Sequence, residues 1–265
     1  MLAQANGTAL YWESAGEGEP VLLVMGLGMA ATGWWRTIPA LAARFRVLAF
    51  DNRGCGRSAT PRGPYTVRQL AADAAAVLDA AGEESAHVYG LSLGGMIAQE
   101  FALAAPGRVR SLVLGATTAG GSEHEPPDEE TVAFLQRRSE LPPEEGVWAS
   151  VPYLYGAATL GRVPERVAED IEQRLRFPPD PSGYRAQLAA ASAHDTTSSL
   201  ASLVVPSLVL HGSADRIVPV ANGRRLAQLL PGARLQELDG AGHLYTTDAP
   251  EAAELVLGFL RESQP

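Results

Sequence analysis

Residues 87–96 read His87-Val88-Tyr89-Gly90-Leu91-Ser92-Leu93-Gly94-Gly95-Met96, and the interpretation of the whole chain starts from this stretch. An apolar run typical of a strand enters the Gly-x-Ser-x-Gly pattern, and an apolar run typical of a helix leaves it. Glycines at these positions allow a strand to turn sharply into a helix, so that the serine hydroxyl stands at the edge of a sheet. The pattern is short enough to arise by chance, so the rest of the chain must distinguish a nucleophile from an ordinary turn.

The composition is that of an acidic, globular chain. Its 265 residues carry a formal net charge of −9, and 46% of them are hydrophobic. No basic cluster and no apolar run of membrane-spanning length stands out, which argues against nucleic acid and against a membrane as partners. The amino terminus has no secretory-signal pattern, and the single cysteine, Cys55, allows no internal disulfide. We therefore expect a cytoplasmic protein.

Strand-like and helix-like runs alternate through the first part of the chain. A continuous apolar run such as residues 20–25 is typical of a strand buried on both faces of a sheet. Between residues 118 and 200 the strand runs stop and four helix-like segments follow, after which the alternation resumes. The pattern predicts an α/β core formed by residues 1–117 and 201–265, with a mainly parallel sheet flanked by helices, and a helical cap inserted as residues 118–200.

Two later loops bring an acid and a base to the edge of the sheet that carries Ser92. Asp215 comes shortly after a buried strand, and His243 follows the last strand in a Gly-x-Gly-His setting. Loops at the carboxyl ends of parallel strands share one edge, so these side chains are expected to meet. A serine hydroxyl needs a base to attack, histidine can serve as that base, and a carboxylate fixes the histidine tautomer. The sequence therefore predicts a catalytic triad of Ser92, Asp215 and His243.

Acyl transfer at a serine also requires hydrogen-bond donors for the oxyanion that develops. The backbone amide of Leu93, directly after the serine, is the expected first donor. The second is expected from the Gly26-Leu27-Gly28 loop, which follows a buried strand.

Taken together, four motifs make the chain resemble the α/β-hydrolase superfamily over nearly its whole length. These motifs are Asp51-x-Arg53-Gly54-x-Gly56-x-Ser58, Gly90-Leu91-Ser92-Leu93-Gly94-Gly95, Asp215-Arg216-Ile217-Val218-Pro219 and Gly240-Ala241-Gly242-His243. The resemblance implies the same triad and a cap over the pocket, and by position it assigns the second oxyanion donor to Leu27. Many relatives carry His-Gly where this chain has Met25-Gly26, but a backbone donor does not depend on that histidine.

Within the superfamily, the chain is most similar to small bacterial hydrolases grouped with 3-oxoadipate enol-lactonases. The expected reaction is hydrolysis of a small-molecule carboxylic ester or lactone through an acyl-enzyme, with no cofactor and no metal. Two alternatives keep the triad, namely a cofactor-free perhydrolase or haloperoxidase and a hydrolase of carbon–carbon bonds. A third is a non-catalytic ligand-binding protein on the same fold, and a homodimer is the candidate assembly.

The pocket is expected to be mostly apolar because the cap is rich in alanine, leucine and aromatic residues. Trp34, Trp148 and Tyr153 are the candidate pocket walls. His211 is interpreted as a structural residue at the end of a strand, and His194-Asp195 as the hinge where the cap rejoins the core.

Overall fold

The computed structural model describes residues 1–5 and 7–264, and a sheet of eight strands runs through this part of the chain. The spatial order is β1-β2-β4-β3-β5-β6-β7-β8, in which β1 and β2 pair antiparallel to their neighbours and the other strands are parallel. The strands are β1 (Leu2–Ala5), β2 (Thr8–Ala15), β3 (Pro20–Val24), β4 (Arg46–Phe50), β5 (Ala86–Leu91), β6 (Val109–Gly115), β7 (Ser207–Gly212) and β8 (Arg234–Leu238).

Helices cover both faces of the sheet. They are α1 (Ile38–Ala42), α2 (Val67–Ala80), α3 (Leu93–Ala104), α4 (Glu129–Arg137), α5 (Pro143–Ala149), α6 (Val151–Leu154), α7 (Ala157–Arg162), α8 (Pro164–Leu175), α9 (Pro181–Ser192), α10 (Val220–Leu229), α11 (Tyr245–Asp248) and α12 (Ala252–Glu262). None of these helices is long and apolar enough to cross a membrane. The predicted α/β architecture, with a mainly parallel sheet flanked by helices, is confirmed.

Two apolar clusters occupy the two faces of the sheet. In β3, Leu22 and Val24 pack into the cluster formed with α2, α3 and α10, whereas Val21 and Leu23 pack into the cluster formed with α1 and α12. A strand that is covered on both sides needs apolar residues at every position, and this explains the uninterrupted apolar run in the sequence.

Helices α4 to α9 lie between β6 and β7, and the chain leaves and re-enters the core at one place. An antiparallel bridge joins Gly120 to Asp195, and the Thr196 amide donates to the Ala119 carbonyl at 2.9 Å. Aspartates begin two of these helices, because the Asp128 and Asp180 carboxylates accept hydrogen bonds from free amides of the first turn.

The structure contains several short elements that the sequence patterns do not predict, including α11. The strand β1 was not predicted, because four residues are too few to show a period. The helix-like run at residues 33–44 forms a 3₁₀ turn at Ala31–Trp34 followed by α1, since Pro39 fits only the first turn of a helix. The helix α7 is an additional short element in the inserted segment.

Candidate active site

Ser92 lies at the junction of β5 and α3 in a strained backbone conformation. Its φ is 57° and its ψ is −121°, a combination that non-glycine residues rarely adopt and that costs on the order of 1–3 kcal/mol. The Ser92 amide donates to the Gly115 carbonyl of β6 at 2.8 Å. The neighbouring strand therefore holds this turn in place, with the serine at the carboxyl edge of the sheet.

The glycines around Ser92 are required by close contacts. A Cβ atom on Gly90 would collide with the carbonyl group of Gly94, and one on Gly94 would collide with the Val24 carbonyl group at the end of β3. A Cβ atom on Gly26 would lie 3.1 Å from the Ser92 Cβ atom, so the loop after β3 runs directly beside the serine. The sharp turn and the adjacent loop therefore both require glycine, which has no Cβ atom.

His243 and Asp215 form a buried pair on the same edge of the sheet. The His243 Nδ1 atom lies 2.8 Å from Asp215 Oδ2, while Asp215 Oδ1 accepts from the amides of Ile217 and Val218 at 2.8 and 2.9 Å. Burial alone would raise the pKa of the Asp215 carboxyl, but the charge and hydrogen bonds of His243 and His211 outweigh it and lower that pKa to about 2. Asp215 is therefore an ionised carboxylate at neutral pH, suited to orienting a histidine.

Ser92 and His243 line one cavity. This cavity is partly open to solvent. Most of its wall is apolar, as expected, and comes from both the core loops and the inserted helices. The apolar side chains are Leu27, Met29, Leu91, Phe134, Leu135, Leu154, Ile217 and Leu244.

The amides expected to bind an oxyanion lie around the serine. Leu93 is the first residue of α3, so its N–H has no acceptor within the helix. Leu27 lines the cavity from the loop beside Ser92. Gln187 of α9 holds this loop, because its Oε1 atom accepts from the Gly28 amide at 2.8 Å and its Nε2 atom donates to the Arg53 carbonyl at 2.7 Å.

The three aromatic residues expected in the pocket wall lie elsewhere. Trp34 is fully buried in the core, with its ring centroid 4.7 Å from that of Tyr89. Trp148 is 52% exposed on the outer side of α5, and Tyr153 stacks on Phe134 with its hydroxyl donating to an exposed glutamate. Trp34 packs in the core, Tyr153 packs on a neighbouring cap helix and Trp148 is exposed to solvent, so none of the three lines the cavity and this part of the prediction is wrong.

Sequence reasoning also missed two arginines, Arg138 and Arg174, that line the cavity. A signal for Arg174 was present, since it follows Val167 and Ile171 at helical spacing on the buried face of α8. Asp170 lies on the same buried face, and charged residues in such positions are unusual and merit attention.

Other histidines lie outside the cavity wall. His211 is fully buried, and its Nε2 atom lies 2.7 Å from the Val218 carbonyl oxygen. His194 lies at the base of the inserted segment, beside the bridge to Gly120. Among residues 1–5 and 7–264, no group of three or more His, Cys, Asp or Glu side chains is placed to hold a metal ion.

Most of the chain matches one known protein family. The model of the family described as alpha/beta hydrolase fold matches residues 19–249. The chain belongs to the α/β-hydrolase family. This α/β hydrolase is 35% identical to a protein of Azorhizobium caulinodans named as the carbamate hydrolase RutD, over 98% of each chain.

Two solved structures are closely similar to this α/β hydrolase. The enol-lactonase from Burkholderia xenovorans LB400 superposes with a TM-score of 0.88 at 30% identity, over 98% of this chain and all of the other. A thermophilic esterase from Thermogutta terrifontis, with malate bound, gives a TM-score of 0.86 at 28% identity, over 100% and 99% of the two chains. The expected similarity to enol-lactonases is confirmed, and hydrolysis is supported as the class of reaction.

Proposed function

We propose that this α/β hydrolase cleaves a carboxylic ester or lactone through an acyl-enzyme on Ser92. The observation that carries the proposal is that a strained serine and the histidine of a buried histidine–carboxylate pair line one largely apolar cavity. In this assignment Ser92 is the nucleophile, His243 the general base and Asp215 the acid that orients it. A small-molecule substrate and a cytoplasmic setting are part of the same proposal.

In this proposal, each proton transfer and each bond change of the reaction is assigned to a named residue. His243 removes the hydroxyl proton while Ser92 Oγ attacks the carbonyl carbon, and the resulting oxyanion accepts hydrogen bonds from the amides of Leu27 and Leu93. The imidazolium, stabilised by Asp215, then gives its proton to the leaving alkoxide as the ester bond breaks. Water repeats these steps on the acyl-enzyme, releasing the acid and restoring the serine.

Relatives with related names support acyl chemistry of this kind. The structural neighbour from Burkholderia xenovorans is an enol-lactonase, and the relative from Azorhizobium caulinodans is named for carbamates. Lactones and carbamates both contain a carbonyl carbon that bears an oxygen or nitrogen leaving group. We favour esters and lactones because the cavity wall is mostly apolar, and carbamates belong in the same substrate screen.

The decisive experiment combines turnover with labelling. Purified protein is expected to hydrolyse 4-nitrophenyl butyrate and to take up one fluorophosphonate, located at Ser92 by peptide mass spectrometry. Ser92→Ala should abolish both, whereas the exposed Ser198→Ala should retain both. A folded protein that neither cleaves esters, lactones or carbamates nor takes the label would disprove the proposal. Comparing hydrogen peroxide with water as acceptor would reveal the perhydrolase alternative.

A further inference from the structure

The loop that carries His243 lies directly against the turn between α6 and α7 of the inserted segment. A Cβ atom on Gly242 would lie 2.8 Å from the Leu154 carbonyl oxygen. One on Gly156, at the start of α7, would collide with the Gly240 carbonyl oxygen. Neither glycine has room for a side chain, so the two backbones are in direct contact.

The side chain of Asp248 joins these two backbones. Asp248 is the last residue of α11, the short helix that follows His243. Its Oδ2 atom accepts from the Gly242 amide at 2.7 Å and from the Gly156 amide at 2.8 Å. A single oxygen atom therefore links the residue directly before His243 to the inserted segment.

The residues between His243 and Asp248 are also bonded to the inserted segment. The Leu244 amide donates to the Leu154 carbonyl at 2.8 Å. The Thr247 hydroxyl donates to Asp170 of α8. Among these contacts, the one made by Asp248 involves a side chain and reaches the residue adjacent to His243, so it can be removed by substitution.

The two carboxylate oxygens of Asp248 have different surroundings. Oδ1 is buried and has no hydrogen-bond partner among residues 1–5 and 7–264, whereas Oδ2 accepts both amides. One carbonyl oxygen is therefore sufficient for both hydrogen bonds. Asp248 is not among the residues that line the cavity, so any influence on the reaction must pass through His243.

We propose that Asp248 is a positioning residue for His243. The proposal rests on the proposed hydrolase function, in which His243 is the general base. By holding the Gly242 amide, Asp248 fixes the backbone before His243, which keeps Nδ1 on Asp215, 2.8 Å away, and directs the other ring nitrogen to Ser92. The inserted segment thereby contributes to the chemical step as well as to the wall of the cavity.

Two substitutions separate the hydrogen bonds from the rest of the side chain. Asp248→Asn keeps a carbonyl oxygen for both amides, whereas Asp248→Ala removes it. With 4-nitrophenyl butyrate, well below the Tm of each variant, Asp248→Ala should lower kcat about 10- to 100-fold and change KM less than about threefold, because a slightly displaced base is much less effective. Asp248→Asn should stay within about threefold of the unmodified protein. The exposed Asp239→Ala, at the start of the same loop, is the control.

The labelling of Ser92 provides a second kinetic measurement. His243 activates the serine for attack on a fluorophosphonate as it does for attack on an ester, so Asp248→Ala should slow labelling about tenfold or more. A lower Tm with unchanged kcat and unchanged labelling would assign Asp248 to the fold alone and overturn the proposal. Equal losses in Asp248→Asn and Asp248→Ala would contradict it as well. Asp248→Ser, whose side chain is too short to reach both amides, replaces Asp248→Ala if that variant does not fold.

Proton NMR tests the positioning without turnover. The Nδ1 proton of His243, hydrogen-bonded to Asp215, should give a downfield resonance that is absent in His243→Gln. This resonance should persist in Asp248→Asn and shift or broaden in Asp248→Ala. An unchanged resonance in folded Asp248→Ala would overturn the proposal while leaving the hydrolase function intact. If the unmodified protein cleaves no ester but the resonance responds as expected, the positioning role stands and the hydrolase assignment fails.

Discussion

The imidazole of His211 lies against the carboxylate of Asp215, with His211 Nε2 3.4 Å from Asp215 Oδ2. The same oxygen atom lies 2.8 Å from His243 Nδ1, so two histidines share one carboxylate. His211 cannot move away easily, since a single Cβ atom added at Gly223 would collide with its ring. The acid of the proposed triad is therefore held from two sides, and its ionised form is favoured.

The low pKa of Asp215 predicts a specific dependence of stability on pH. The folded-state pKa is about 2 against an ordinary value of 3.8, so the ionised carboxylate favours the folded state. This contribution is about 2 kcal/mol, is fully present above the ordinary pKa, and is lost as the pH falls through 3.8 towards 2. Chemical denaturation should show that Asp215→Asn loses less unfolding free energy than the unmodified protein between pH 5 and pH 2.

Activity and a surface control complete this test. Asp215→Asn should also lower kcat by about 10⁴-fold, because an amide favours the wrong histidine tautomer. The exposed Asp239→Asn should follow the unmodified protein in both measurements. Parallel pH–stability curves for Asp215→Asn and the unmodified protein would contradict the assignment.

Two glycine-to-alanine substitutions in helices are expected to have opposite effects on stability. Gly94→Ala places a Cβ atom against the Val24 carbonyl group and should destabilise the protein by more than about 3 kcal/mol or prevent folding. Gly258→Ala in α12 meets no atom within 4 Å and should stabilise by about 0.5–1 kcal/mol through helix propensity. Thermal or urea unfolding measures both. Similar free energies of unfolding for the two variants would show that the turn at Ser92 accommodates a Cβ atom at position 94 despite these contacts.

Gln187 is predicted to matter for catalysis although it does not line the cavity. Gln187→Met keeps the volume but leaves the Gly28 amide and the Arg53 carbonyl without this partner, at a cost of about 1–3 kcal/mol of stability. The loop carrying Leu27 should then be less well placed, lowering kcat about tenfold with little change in KM. The exposed Gln136→Met is the control. An effect on stability alone would assign Gln187 to the fold.

The buried hydroxyl groups of Tyr89 and Tyr245 offer a double-mutant cycle. They lie 2.7 Å apart, and both rings are almost completely buried. Each single Tyr→Phe substitution should cost about 1–2 kcal/mol, since the remaining hydroxyl loses its partner. The double variant should cost less than the sum by at least about 0.5 kcal/mol. Strictly additive free energies of unfolding would show that this hydrogen bond contributes nothing.

The sequence was sufficient to predict the fold because its main signals are local. Strands covered on both faces, such as β3, are apolar throughout, and the glycines around Ser92 are fixed by backbone contacts that no other residue allows. Ser92, Asp215 and His243 each follow a strand of the sheet. Because parallel strands end at one edge, their proximity in space could be predicted from the sequence. The triad itself stays a prediction until the experiments above are done.

The wall of the cavity could not be read from the sequence in the same way. Aromatic residues such as Trp34 and Tyr153 look alike in sequence whether they face a pocket or pack in a core, and tertiary contacts decide between the two. Arg174 was overlooked although its helical spacing placed it on a buried face. Which side chains meet inside the cavity depends on how the inserted helices pack, and no local pattern encodes that packing.

The bridge between Gly120 and Asp195 has an evolutionary consequence. Because the two ends of the inserted segment are neighbours in space, insertions, deletions or wholesale replacement between them need not displace β6 or β7. Arg138 and Arg174 both belong to this segment, whereas Ser92, Asp215 and His243 do not. Descendants of a common ancestor can therefore change the molecules they accept by exchanging one continuous piece of gene, provided that the new segment replaces the contact by which Gln187 holds the loop of Leu27.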